Sequence, residues 1–161
     1  MASDLIIREA TRADVPVILT LIKELAEYEK LSHIVEATED SLGESLFGDN
    51  PPAEALVAFY EGEPAAYAIF FHSFSTFLGR AGIYLEDIYV RPHLRGKGIG
   101  KTLFARVARI ACERSSGRME WSVLKWNRTA IDFYEAHGAE PLDEWVMMRL
   151  MGDALEKVAG Q

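Results

Sequence analysis

The sequence predicts an α/β fold, a mixed sheet with helices on both faces, and three observations carry that expectation. Val17, Ile18, Leu21, Ile22, Leu25 and Tyr28 recur at helical spacing near the start. Three apolar, β-type runs at residues 55–60, 65–74 and 83–90 follow with short connections, which suits antiparallel pairing. A helical run at 99–113 then separates the last of these from a strand-like run at 119–124, and such a crossover suits parallel neighbours.

Each element has a local reason. Residues 5–8 read as a first strand. Thr11 and Asp14, three apart, resemble a capping box with Asp in place of Glu, and Pro16 falls in the first turns, where proline is tolerated. The helix they open ends near Lys30, and a shorter one spans 38–48. Asp49-Asn50-Pro51-Pro52 is a loop and Glu61-Gly62-Glu63-Pro64 a hairpin turn. Ser115-Ser116-Gly117 breaks the long helix. A helix at 129–136 closes on His137-Gly138, with glycine where a left-handed turn is favoured. Residues 145–151 read as a last strand, and 152–161 as a frayed end. The chain of 161 residues is expected to form one domain.

Composition narrows the function. A formal net charge of -8 argues against nucleic acid, which asks for a basic stripe. No apolar run approaches the roughly 20 residues that span a bilayer, so no membrane partner is expected. The polar start does not read as a signal peptide, and one cysteine, Cys112, forms no intrachain disulfide, so a cytoplasmic setting is the default. His33, His72, His93 and His137 lack metal-ligand spacing, and no metal is expected.

The most informative stretch is Arg95-Gly96-Lys97-Gly98-Ile99-Gly100, followed by Lys101. It sits between a strand and a helix. Glycines there let backbone N–H groups approach a phosphate, and the helix N-terminus adds partial positive charge. It lacks the Lys-Ser/Thr ending of a Walker A loop, and its glycine spacing is one residue too short for a dinucleotide loop. A plain glycine-rich helix cap also fits.

The form Arg-x-x-Gly-x-Gly resembles the coenzyme A loop of the GNAT acetyltransferase superfamily. Tyr84-Leu85-Glu86-Asp87-Ile88-Tyr89-Val90 directly before it fits that family, as does Asn127-Arg128-Thr129-Ala130-Ile131-Asp132-Phe133-Tyr134 with Gly138-Ala139 after it. Within the superfamily the chain looks like the diamine group, the spermidine/spermine and thialysine N-acetyltransferases. Arg8-Glu9-Ala10-Thr11, Leu21-Ile22-Lys23-Glu24-Leu25-Ala26-Glu27-Tyr28-Glu29, Tyr84-Leu85-Glu86-Asp87 and Trp126-Asn127 carry that likeness.

The resemblance implies acetyl transfer from acetyl-CoA to a primary amine of a small cation, with a homodimer as the assembly. It implies that Arg95, Gly96, Lys97, Gly98, Ile99, Gly100 and Lys101 take the pyrophosphate. Backbone groups of Ile88, Tyr89 and Val90 pair with the pantetheine arm; Ile88 and Val90 also fit plain strand core. Asn127 resembles a cofactor-binding residue and equally fits a helix N-cap. Tyr134 is implied as the general acid, since a phenol of pKa about 10 can protonate a thiolate of pKa about 8.5; a core tyrosine is the alternative. Glu86 is implied to contact the ammonium and relay its proton. Glu86 and Asp87, adjacent on a strand, are expected to point to opposite faces. Tyr28 and Glu29 match the acceptor-binding pair, or form a solvated helix end. Trp145, after Asp143 and Glu144, could wall the amine pocket or serve as core.

Departures fall on the acceptor side. The stretch after Glu29 is less acidic than polyamine acetyltransferases tend to be, Phe77 stands where tryptophan is expected, and the loop before Trp145 looks shortened. These disfavour long polyamines and leave a shorter diamine or a lysine analogue. An antibiotic amine, a protein N-terminus, or a non-catalytic acyl-CoA or amine sensor are the alternatives.

Overall fold

The computed structural model describes residues 4–160. Residues 1–3 and Gln161, on which part of the polar start and part of the frayed end fall, lie outside the described residues. The described residues form two compact units divided between Ser122 and Val123.

The first unit holds one sheet in the order β1 (Leu5–Glu9), β2 (Glu54–Tyr60), β3 (Glu63–Ser75), β4 (Arg80–Val90), β5 (Met119–Trp121). The first four pair antiparallel and β4 pairs β5 in parallel, as the connections require. Glu61 and Gly62 both have positive φ, the two-residue turn whose twist matches a hairpin. Strand β5 ends earlier than the apolar run at 119–124 suggests.

Strand alternation divides two hydrophobic layers. Val57, Tyr67, Ile69 and Tyr89 face α1 (Val15–Tyr28) and α2 (Glu39–Phe47). Leu56, Ala68, Phe70, Ile83 and Leu85 face α3 (Ile99–Glu113), the crossover helix. In β4 the alternation changes parity. Pairing steps from Phe70↔Leu85 to Ile69↔Asp87, so Glu86 has no partner of its own and the strand carries a β-bulge. Before it, Ile83 and Leu85 lie in the α3 layer; after it, Ile88 and Val90 pack there instead, and Tyr89 turns to the α1 side.

Entry into α1 is fixed by Asp14. Its Oδ2 accepts from the Thr11 N–H at 2.7 Å, the reciprocal half of the expected capping box. Arg8 of β1 adds a two-pronged ion pair at 2.7 and 2.9 Å. Together these hold the Asp14 carboxyl down at about 2, the Arg8 hydrogen bond being the largest cause.

The second unit contains α4 (Arg128–Ala136) and α5 (Gly152–Ala159). Helix α4 ends in a Schellman motif. Gly138 has φ 90°, its N–H donates to Glu135 O, and Ala139 N–H donates to Tyr134 O. Two expectations for this region are corrected. Residues 145–151 are not a strand, because their backbone joins no ladder among the described strands, and an extended apolar run alone is not one. Residues 152–159 do not fray; they form α5, with Asp153 in the first turn and Lys157 in the last, each suited to the helix dipole.

Asp14 yields a stability prediction. Its depressed pKa contributes stability present above the ordinary carboxylate range and lost as pH falls toward about 2. Asp14→Asn should cost about 1–2 kcal/mol at neutral pH, discounted for the solvent around Arg8. Urea unfolding should show the gap to the parent protein narrowing as pH drops below about 4.

Candidate functional site

Strand β4 ends at Val90 and the chain turns through Pro92–Leu94 into the glycine loop. Gly96 and Gly98 have φ of 77° and 78°, in the left-handed region, and a Cβ built on either would meet nothing within 4 Å. Backbone conformation and not crowding therefore asks for glycine, and the loop keeps an open face. Ile99, 1% exposed, anchors the start of α3 in the core. The amides of Ile99, Gly100 and Lys101 have no helical carbonyl to reach; Thr102 N–H is the first to bond back, to Gly98 O at 3.0 Å. Arg95, Lys97 and Lys101 are exposed around this cluster of donors. The Arg95 guanidinium lies 4.8 Å from the Tyr28 ring centroid and 5.7 Å from that of Tyr89, while its Nε donates to Val90 O. Lys97 Nζ lies over Tyr60. Open glycines, free amides and three cations fit a pyrophosphate.

The ladder between β4 and β5 stops at Leu85↔Trp121. Beyond it Ile88, Tyr89 and Val90 are paired, among the described strands, to β3 alone, leaving one side of their backbone without a described strand. That suits the pairing with an extended arm that the resemblance implies.

The bulge interrupts the simple alternation across Leu85 to Asp87 on which the expectation of opposite faces for Glu86 and Asp87 rests. Glu86 is exposed. Asp87 turns into the α1 layer, where its Oδ2 accepts from the Tyr67 hydroxyl at 3.0 Å. Burial pushes the Asp87 carboxyl up to about 6, and the nearby charges of Glu86 and Glu29 act in the same direction. Glu29, the C-cap of α1, is itself raised by burial. Tyr28 is the last residue of that helix. In the first unit the charges of Glu86 and Glu29 thus both act on Asp87, and a cluster of carboxylates suits a cation.

In the second unit Asn127 caps α4, its Oδ1 accepting from Ala130 N–H. Tyr134 is half-buried in α4, and burial pushes its phenol up to about 12, so it stays protonated at neutral pH. Trp145 is 76% exposed, which removes the core alternative for it.

Two features escaped the sequence reading. The bulge had a visible sign: apolar positions 83 and 85 give way to 88 and 90, a change of parity across Glu86-Asp87. Tyr67 had none, since its partner lies 20 residues away and it stands within an apolar run. Among the described residues no helix is long and apolar enough to cross a membrane.

The pattern of the acetyltransferase (GNAT) family matches residues 20–139. The chain is 43% identical over 166 residues to a thialysine N-epsilon-acetyltransferase of Bos taurus, covering 96% of this chain and 97% of that one. It is 34% identical to an L-ornithine N5-acetyltransferase of Arabidopsis thaliana, covering 94% and 86%. Among solved structures, an integron cassette protein from the mobile metagenome of V. cholerae shares the fold with a TM-score of 0.80 at 24% identity, covering 98% and 99%.

Two substitutions test this geometry. Gly98→Ala forces a side chain into the left-handed region and should cost about 1–2 kcal/mol in urea unfolding. Asp87→Asn should do the reverse. A carboxyl raised to about 6 withdraws stability as pH rises from the ordinary carboxylate range through that value. The variant should gain about 1–3 kcal/mol over the parent near neutral pH, shrinking toward pH of about 4.

Proposed function

The chain belongs to the GNAT acetyltransferase family, and on that premise we propose that it moves an acetyl group from acetyl-CoA to the primary amine of a small cationic acceptor, a diamine or a lysine analogue. What carries the reading is strand β4 itself. Its bulge presents carboxylates and its exit presents an anion cradle, within one continuous stretch of chain. The relatives named for thialysine and ornithine act on amines of that kind.

Bound acetyl-CoA supplies an activated acyl carbonyl and a sulfur leaving group. The amides of residues 96–101, with Arg95, Lys97 and Lys101, hold the pyrophosphate. Ile88, Tyr89 and Val90 offer backbone groups to the pantetheine arm, one N–H polarising the acyl oxygen; a preorganised donor of this kind is commonly the largest electrostatic contribution in acyl transfer. Asn127 contributes a cofactor hydrogen bond besides its cap. Tyr28, Glu29, Asp87 and Trp145 bind the acceptor. An aliphatic ammonium has a pKa of about 10, so it arrives protonated, and Glu86 takes its proton. Tyr134 gives a proton to the departing sulfur.

Both units serve as one N-acetyltransferase domain in this reading, since the family match runs through each of them. By family resemblance the protein works as a homodimer, and its single cysteine suits a reducing cytoplasm.

The test is coenzyme A release from acetyl-CoA across amines: thialysine, ornithine, short diamines, spermidine, an aminoglycoside and a peptide N-terminus. Turnover should be fastest with thialysine, ornithine or a short diamine. Acetyl-CoA binding without turnover on any amine makes the protein a sensor instead. Tyr134→Phe should lower kcat by about a hundredfold with acetyl-CoA affinity kept; full activity removes the acid from Tyr134.

A further inference from the structure

The acceptor site leaves one polar group without a role, the hydroxyl of Tyr67. Tyr67 sits in the middle of β3, 0% exposed, among Val57, Ile69, Leu21 and Tyr89 in the layer beneath α1. Phenylalanine would fill the same space there, so apolar packing alone does not ask for a hydroxyl. Its partner is Asp87 Oδ2, 3.0 Å away on the neighbouring strand. The register explains the reach: Tyr67 stands opposite Tyr89, two residues beyond Asp87, and the bulge has turned Asp87 to the same face.

We propose that Tyr67 is a positioning residue of the acceptor site, its buried hydroxyl fixing Asp87 through Oδ2 so that the carboxylate presents Oδ1 to the incoming ammonium. The inference rests on the amine acetylation proposed above and adds a residue to it. Among the described residues no protein donor reaches Oδ1. The groups facing Asp87 are Tyr67 from β3, Glu86 and Tyr89 from β4, and Glu29 from the end of α1; the Arg95 guanidinium lies on the Tyr89 ring. Burial, Glu86 and Glu29 all favour the protonated acid, and the Tyr67 hydrogen bond opposes them. A protonated Asp87 cannot pair with an ammonium. Tyr67 therefore keeps the site receptive to cations at neutral pH, and its own phenol is held protonated by burial and by Asp87.

The experiment follows Asp87 by carboxyl carbon NMR in the parent protein and in Tyr67→Phe, beside kcat/KM against pH for an amine that the parent acetylates. In Tyr67→Phe the Asp87 titration should move to higher pH. The acid limb of kcat/KM should move with it, giving about a tenfold loss on that limb and little loss well above it, the size of one charge-assisted hydrogen bond. The loss should fall on KM for the amine, with KM for acetyl-CoA unchanged. An unmoved titration, or an equal loss at every pH, overturns the proposal. Should Tyr67→Phe fail to fold, 3-fluorotyrosine at position 67, a stronger donor, should move both curves to lower pH, and unmoved curves overturn the proposal equally. If the parent acetylates no amine, the function proposed above fails and the acceptor role of Tyr67 falls with it. A shifted titration then keeps the Tyr67–Asp87 coupling alone, and an unshifted one discards both.

Discussion

One surplus residue in β4 governs this molecule. Strand β3 offers two consecutive residues, Ile69 and Phe70, opposite what β4 delivers as three, Leu85 to Asp87, and Glu86 is left over. Because side chains alternate, a shift by one residue exchanges the faces of everything that follows. The first half of β4 therefore supplies the α3 core with Ile83 and Leu85, and the second half supplies it with Ile88 and Val90. Without the bulge Asp87 would continue the Ile83–Leu85 row into the α3 core, and Ile88 would take its place beneath α1. The same irregularity coincides with the end of the β5 ladder, so strand backbone and carboxylates become available together.

The chain is acidic overall, yet its charges are sorted. Arg95, Lys97 and Lys101 gather after β4, and Glu29, Glu86 and Asp87 gather along it. Between the two groups stands Arg91, which bonds Glu24 of α1 at 3.1 and 2.9 Å and Pro64 O at 3.0 Å. This clasp ties the exit of β4 to α1 and to the start of β3.

Most of the fold was legible because its signals are local. The spacing of Val17 to Tyr28, the Glu61-Gly62 turn and the glycine after α4 each specify their own geometry within a few residues. Residues 145–151 misled for a physical reason: β-type composition states a preference, but a strand exists only where a partner completes its hydrogen bonds. Helix α5 forms despite the expected fraying because Ala154, Leu155, Glu156 and Lys157 are consecutive helix formers. Among the residues proposed for function, the loop, Asn127 and the carboxylates are named from spacing and resemblance. The Tyr67–Asp87 pair could not, since it depends on the register of two strands and a bulge between them.

Arg95 has a consequence for how ligands share the site. Its guanidinium rests on Tyr28, at the end of α1, and on Tyr89, while its Nε holds the carbonyl of Val90 at the end of β4. Both rings belong to the α1 side of the sheet, Tyr28 ending α1 and Tyr89 lying in the layer beneath it. Any anion that draws Arg95 off Tyr28 must overcome that stacking, and any cation that settles on Tyr28 competes with Arg95 for the same ring. Thermodynamic linkage then makes the effect mutual: whatever the first ligand does to the affinity of the second, the second does to the first by the same factor. An anion and a cation that both engaged Arg95 and Tyr28 would therefore be coupled through one side chain.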